Sequence, residues 1–139
     1  MIRLTINFIV SVIIGSLLVS ILSTQIVLAS VSEFGIAVDI STRLSSTYKD
    51  ILGFGPTVLG ITFVAYLVFF TINHLLAKLI GNKGNWVYLL GSVAIPSVLI
   101  IMNSIFGLTV VASTNSLAGW FFNVLASFCG SLYFYQQSK

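Results

Sequence analysis

Charge is what this sequence has least of. Only 6% of its 139 residues are charged, six of them Lys or Arg and three Asp or Glu, and mean hydropathy is +1.11. A soluble domain carries about 25% charged residues, because its surface must stay in contact with water. The composition therefore excludes an ordinary soluble domain. The six basic residues are also scattered singly along the chain, so they form no nucleic-acid-binding patch.

Residue types that carry chemistry are equally scarce. Cys129 is the single cysteine, which excludes an internal disulfide, and His74 is the single histidine, which excludes a haem held by two histidines of one chain. The apolar interiors of the predicted spans contain no Asp, Glu, Lys or Arg, so no catalytic or metal-binding set can be assembled there. We therefore expect no enzyme activity, no metal and no cofactor. Two interpretations of His74 stay open: a hydrogen bond to backbone or a lipid headgroup, and a quinone or haem site shared with a partner.

Long apolar runs take the place of charge. No charged residue lies between Arg3 and Glu33, between Asp50 and Lys78, or between Lys83 and Lys139. A membrane-crossing helix needs about 20 apolar residues, so the first two runs each accommodate one helix and the last accommodates two. We predict an all-α, polytopic membrane protein with one transmembrane domain, 1–139, and four transmembrane helices in a bundle. The predicted spans are 4–28, 56–80, 86–106 and 115–135.

The first span has an alternative interpretation, and the third contains a residue that should bend it. The first span begins after Arg3 and ends near Ala29, at a stretch that resembles a signal-peptide cleavage site, so a cleaved signal peptide is the alternative to a permanent helix. In the third span, Pro96 removes one backbone hydrogen bond and should bend the helix. A short uncharged loop, 107–114, is predicted to connect the third span to the fourth.

Basic residues predict an orientation. In a four-span arrangement Arg3, Lys78, Lys83 and Lys139 fall on one side of the membrane, while the three acidic residues fall on the other side with only two basic ones. Because Lys and Arg are retained on the cytoplasmic side, both termini are predicted to be cytoplasmic. The pattern is typical of a bacterial inner membrane.

The first loop, residues 31–52, is predicted to contain a short amphipathic helix. Apolar side chains recur there every three to four residues, with polar ones between them. Two placements stay open: a helix lying flat on the outer membrane surface, or a cap packed over the end of the bundle. The apolar positions are Ile36, Ile40, Leu44, Tyr48 and Ile51.

Each predicted span places its polar and small residues on one side. Polar groups are costly in hydrocarbon, so these sides should face other helices, either as a packed polar core or as the lining of a narrow conduit. The helix-packing or pore-lining candidates are Asn7, Ser11 and Gly15 in the first span, Thr62, Tyr66 and Asn73 in the second, Ser92, Pro96 and Asn103 in the third, and Gly119, Asn123, Ala126 and Gly130 in the fourth.

The first span carries a second row of small residues, Ser16, Ser20 and Thr24. A helix with two small faces can contact two partners; the alternative is that these hydroxyls bond back to carbonyls of their own helix. The sequence therefore favours a non-catalytic accessory or scaffold subunit, whose partners are the lipid bilayer and other transmembrane helices, in a homo-oligomer or a larger complex. The alternative hypothesis is a small channel or carrier for a neutral or lipophilic solute.

Overall fold

The computed structural model describes residues 2–80, 90–107, 114 and 116–138, and every principal element in these ranges is an α-helix. The prediction of an all-α protein is therefore confirmed for the described part of the chain. The helices are α1 (Ile2–Glu33), α2 (Ile40–Gly53), α3 (Gly55–Ile80), α4 (Ala94–Phe106) and α5 (Leu117–Ser138). Three of them, α1, α3 and α5, are long and apolar enough to cross a membrane, which fits a membrane protein.

Contacts between side chains give the directions of the long helices. Asn7 in α1 contacts Gln137 in α5, and Ser11 contacts Gly130, so α1 and α5 are antiparallel. Phe8 in α1 contacts Phe70 in α3, and α3 in turn runs parallel to α5. The beginning of α1 and the end of α5 therefore lie at the same end of the packed helices, and the chain must return across them between α3 and α5.

The predicted third span is interrupted. Residues 90–92 are helical, Val93 is a turn, and α4 then continues for 13 residues, to Phe106. The break occurs near Pro96, whose ring crowds the carbonyl of the residue four positions earlier and which has no N–H to donate. Among the described residues, α1, α3 and α5 are the helices that qualify as spanning by length and composition, so the four-span count stays a prediction. Residues 86–89 lie outside the described residues.

The end of α4 is also defined by backbone geometry. Gly107 has φ 63°, in the left-handed region, and its N–H donates to the carbonyl of Asn103. Glycine adopts this conformation without the steric penalty of a Cβ, which is why it ends many helices. The predicted uncharged loop begins here, and most of it, residues 108–113, lies outside the described residues.

The amphipathic helix is present as α2, with its polar side towards the protein. The guanidinium of Arg43 donates to Gln25 of α1 (3.1 Å), the amide of Gln25 donates to Thr47 (3.0 Å), and the hydroxyl of Thr24 donates to the Asp50 carboxylate (2.7 Å). No residue of α2 is buried. This arrangement supports the surface placement rather than the cap, because a cap would turn its apolar side inwards.

The apolar side of α2 faces away from the other described helices. Its residues Ile40, Leu44, Tyr48 and Leu52 are each more than 60% exposed. Ile51, which the sequence pattern assigned to this side, is instead half-buried and lines a cavity next to the start of α3. The exposed row therefore follows a strict four-residue spacing.

Asp39 begins α2, because its carboxylate accepts from the N–H of Thr42 (2.9 Å). This interaction with Thr42 lowers the pKa of Asp39 below the ordinary value of 3.8. Because this pKa is lowered, the ionised Asp39 carboxylate stabilises α2 at pH values above the ordinary pKa. The stabilisation is lost as the pH falls through the lowered pKa. We predict that the NMR shift of the Thr42 amide proton titrates with a midpoint below 3.8.

Substitution provides the control for this cap. Asp39→Ala should accelerate hydrogen exchange at the first amides of α2, whereas Asp39→Asn should preserve their protection, since asparagine caps helices as well as aspartate does. Equal protection in Asp39→Ala and the unmodified chain would contradict the assignment.

Candidate functional site

Tyr66 of α3 lies at the point where α1, α3 and α5 meet. Its side chain is fully buried, and its hydroxyl donates to the backbone carbonyl of Ser127 in α5 (2.9 Å). Glycines on both neighbours make room for it: a Cβ on Gly15 would lie 2.8 Å from the Tyr66 hydroxyl oxygen, and one on Gly130 would collide with the same atom. Tyr66 therefore joins the two helices through positions that only glycine tolerates.

The predicted polar side of α1 forms hydrogen bonds to the backbone of α5. The hydroxyl of Ser11 donates to the carbonyl of Gly130 (2.6 Å), and the side-chain amide of Asn7 donates to the carbonyl of Gln137 (3.0 Å). Two turns of α1 are thus bonded to two turns of α5, which is the most extensive helix contact in the described chain. These contacts make this side of α1 part of a packed interior.

Ser127 of α5 forms hydrogen bonds on both sides of the helix break at Val93. The sequence pattern did not single out this residue. Its hydroxyl donates to the carbonyl of Gly91 (2.6 Å) and accepts from the N–H of Ile95 (3.3 Å). In an uninterrupted helix the Ile95 N–H would donate to the Gly91 carbonyl directly, so the Ser127 hydroxyl is inserted into that bond. The signal available in the sequence was Pro96 within an apolar segment, since a broken membrane helix needs polar groups from its neighbours.

The other predicted residues have different environments. In α5, Gly119, Asn123, Ala126 and Gly130 are all buried. Thr62 is buried with its hydroxyl lacking a hydrogen-bond partner in the described chain, Ser92 is half-buried, Pro96 is buried and Asn103 is exposed. The candidates therefore do not form one continuous lining.

Asn103 lies on the same side of α4 as Pro96, as the sequence spacing predicts. The described residues that cover Pro96 and Leu99 do not extend to Asn103, which is two turns further along, so the same helix side is buried at one level and exposed at the next. Helix periodicity predicts the direction of a side chain but not how far the neighbouring helix reaches.

The second small row of α1 is also used inside the chain. Ser16, Ser20 and Thr24 are each at most 5% exposed. Thr24 bonds Asp50 of α2, while Ser16 and Ser20 line a cavity of about 340 Å³ between α1 and the start of α3. The Ser20 hydroxyl has no hydrogen-bond partner among the described residues. The row thus contacts α2 and α3, and it does not provide a second outer face for a partner.

A larger groove, of about 630 Å³, lies at the end of the helices where α1 begins. Three rings form its wall: Phe70 and Phe134 are stacked with centroids 4.3 Å apart, and Phe8 meets both rings edge to face. Asn73, the remaining predicted residue, lines this groove together with His74. Aromatic walls with a few polar groups at one edge are typical of sites for lipophilic ligands.

The described residues contain no group of three His, Cys, Asp or Glu side chains that could hold a metal ion.

Ser127→Ala should destabilise the protein by about 1–2 kcal/mol, because it leaves the Gly91 carbonyl and the Ile95 N–H without their bridging hydroxyl. Ser131→Ala is the matched control: Ser131 is also buried in α5, one turn later, but its hydroxyl bonds only to Phe128 of its own helix. Reversible unfolding in mild detergent measures both variants. Equal losses would contradict the bridging role of Ser127.

The contact between Gly15 and the Tyr66 hydroxyl predicts non-additive mutations. Gly15→Ala should cost about 1–3 kcal/mol of unfolding free energy through overpacking, and less in a Tyr66→Phe background, with a coupling of at least about 0.5 kcal/mol. Gly60→Ala is the control, since nothing lies within 4 Å of a Cβ at Gly60. A purely additive double mutant would show that the hydroxyl does not define this contact.

Comparison with known proteins does not extend this description. No protein-family model, no curated protein and no solved structure matches the chain.

Proposed function

We propose that this chain is a non-catalytic accessory or scaffold subunit of a membrane, which binds other transmembrane helices in a homo-oligomer or a larger complex. The observation that carries the proposal is the exposed amide of Asn103 on the apolar helix α4. The small faces of α1 and α5 are occupied by contacts within the chain, so a partner would have to bind elsewhere.

The surface around Asn103, near the end of α4, best fits such a partner. Asn103 and Ile100 lie within about 60° of each other around the helix, and both are exposed. In hydrocarbon an exposed amide is costly, whereas a hydrogen bond to a polar side chain or carbonyl of a second helix stabilises helix association by about 0.6–2 kcal/mol. A partner helix on this side would satisfy the amide and cover Ile100.

The Asn103 amide differs from two hydroxyls of the apolar helices. Thr71 of α3 donates to Leu67 (2.6 Å) and Ser97 of α4 donates to Val93 (2.6 Å), so both are bonded locally. An asparagine amide has two N–H groups and a carbonyl, so it requires partners outside its own helix.

The proposal includes an orientation of the helices in the membrane. Arg3 and Lys78 lie at one end of the helices, whereas Glu33, Asp39 and Asp50 lie at the other. With both ends of the described chain on the side of Arg3 and Lys78, the positive-inside tendency favours cytoplasmic termini in a bacterial inner membrane.

The alternative, a small channel or carrier for a neutral or lipophilic solute, requires one lining built from Thr62, Tyr66, Asn73, Ser92, Asn103 and Asn123. Tyr66 bonds a neighbouring backbone, Asn73 lines an outer groove and Asn103 is exposed. This distribution favours a packed polar core over a conduit, and therefore the accessory role over transport.

Replacement of the amide tests the accessory role. The unmodified chain, purified in mild detergent, should have the mass of an oligomer or should retain another membrane protein, and Asn103→Leu should shift the particle towards a single chain because it removes the hydrogen bond between helices. Light scattering with protein identification measures both properties.

Thr71→Val is the matched control, since it removes an exposed polar group that is already bonded within α3. It should leave the particle mass unchanged. A single-chain particle without any retained protein in the unmodified sample, or an Asn103→Leu variant of unchanged mass, would refute the proposal.

A further inference from the structure

We propose that the groove between α1, α3 and α5 is a binding site for an anionic phospholipid, with an acyl chain against the phenylalanine rings and the phosphate held by Arg3 and Lys78. The inference is independent of the accessory role, because it concerns a different surface from that of α4.

The groove has the shape and surface that an acyl chain requires. Its volume, about 630 Å³, falls within the range of ligand pockets, about 300–1,000 Å³. Phe8, Phe70 and Phe134 form a ring wall of the groove. The leucines that also line it, Leu4, Leu67 and Leu75, are 58%, 48% and 55% exposed. The groove therefore offers an acyl chain an accessible apolar surface.

Four polar residues line the groove, Thr5 in α1 and Thr71, Asn73 and His74 in α3. Asn73 and His74 are neighbours near the end of α3. The asparagine amide and the imidazole each supply an N–H donor, which suits the ester and phosphate oxygens of a phospholipid at the depth where its chain meets its headgroup. These two residues would position the lipid, while the rings bind its chain.

Two cations belong to the same end of the helices as the groove. Lys78 follows His74 by one helical turn, about 6 Å, on the groove side of α3, and Arg3 is in the first turn of α1, whose residues Leu4 and Phe8 line the groove. Both side chains are exposed. The acidic side chains Glu33, Asp39 and Asp50 belong to the opposite end of the helices, so no Asp or Glu side chain competes with the phosphate for Arg3 or Lys78.

Charge of one sign at the mouth of an apolar groove favours one class of occupant. A zwitterionic lipid would bring a positive group next to two cations, whereas phosphatidylglycerol brings a net negative charge and the same chain. Basic pockets between transmembrane helices bind anionic headgroups for this reason. Binding requires both the acyl chain and the negative charge of the lipid, which distinguishes this site from one that binds free phosphate.

The experiment uses the full chain in vesicles that contain equal amounts of phosphatidylglycerol and phosphatidylcholine with identical acyl chains. After extraction in mild detergent, native mass spectrometry counts the lipids retained by each protein. The unmodified chain should retain phosphatidylglycerol in preference to phosphatidylcholine. Arg3→Gln and Lys78→Gln should each reduce this preference roughly fivefold, and the double variant should abolish most of it.

Two further variants separate the charge from the groove. Arg43→Gln with Lys49→Gln removes two positive charges at the opposite end, and it should leave the preference unchanged. Leu67→Trp narrows the groove while both cations remain, and it should lower the amount of retained phosphatidylglycerol. Thermal unfolding without added lipid verifies that each variant is folded.

Three results would contradict the proposal of a lipid-binding site. Equal retention of both lipids by the unmodified chain, or the same loss in the variant pair at the opposite end, would overturn it. Competition by soluble glycerol phosphate at concentrations similar to the lipid would also overturn it, because the acyl chain would then contribute nothing. None of these results depends on the particle mass that tests the accessory role.

Discussion

Hydrocarbon provides no hydrogen-bond partner for a polar group, and this constraint determines how the long helices of this chain meet. The interior bonds between helices run from side-chain hydroxyls and amides to backbone carbonyls. Ser11 donates to Gly130 and Tyr66 donates to Ser127. A carbonyl that already accepts within its helix has a second lone pair, so a neighbouring helix can bond to it without unwinding either helix. Such bonds require the two backbones to approach closely, which is why Gly15 and Gly130 lie beside Tyr66.

The same constraint explains how the chain tolerates a proline among its apolar segments. Pro96 prevents a continuous helix, and in lipid the interrupted backbone groups would otherwise lack partners. Ser127 supplies both a donor and an acceptor at this break. One residue of α5 thus bonds α3 through its carbonyl and the broken segment through its hydroxyl. The position of α5 therefore depends on its hydrogen bonds to α3 and to the broken segment.

Outside this interior, the surface has three regions that differ in charge and polarity. The exposed row of α2 continues the apolar surface beyond the spanning helices, while the polar side of α2 is bonded to α1 through Thr24 and Gln25. The end with Arg3 and Lys78 contains an aromatic groove, and α4 exposes an amide near its last turn. The proposed lipid and the proposed partner helix would therefore bind at separate places.

Apolar run length and periodicity belong to each segment separately, and they were enough to predict the helical class, the amphipathic helix, and the limits of α1 and α3 to within about five residues. Periodicity also assigned Ser11, Tyr66 and Gly130 to the polar sides of their helices, and all three residues are buried. Contacts between helices decided that Ser127 bridges the break before Pro96, that the second small row of α1 is covered, and that Asn103 is exposed. Their environments depend on which helix lies opposite and how far it extends, because a hydrogen bond or a contact requires two groups that the chain brings together only after folding.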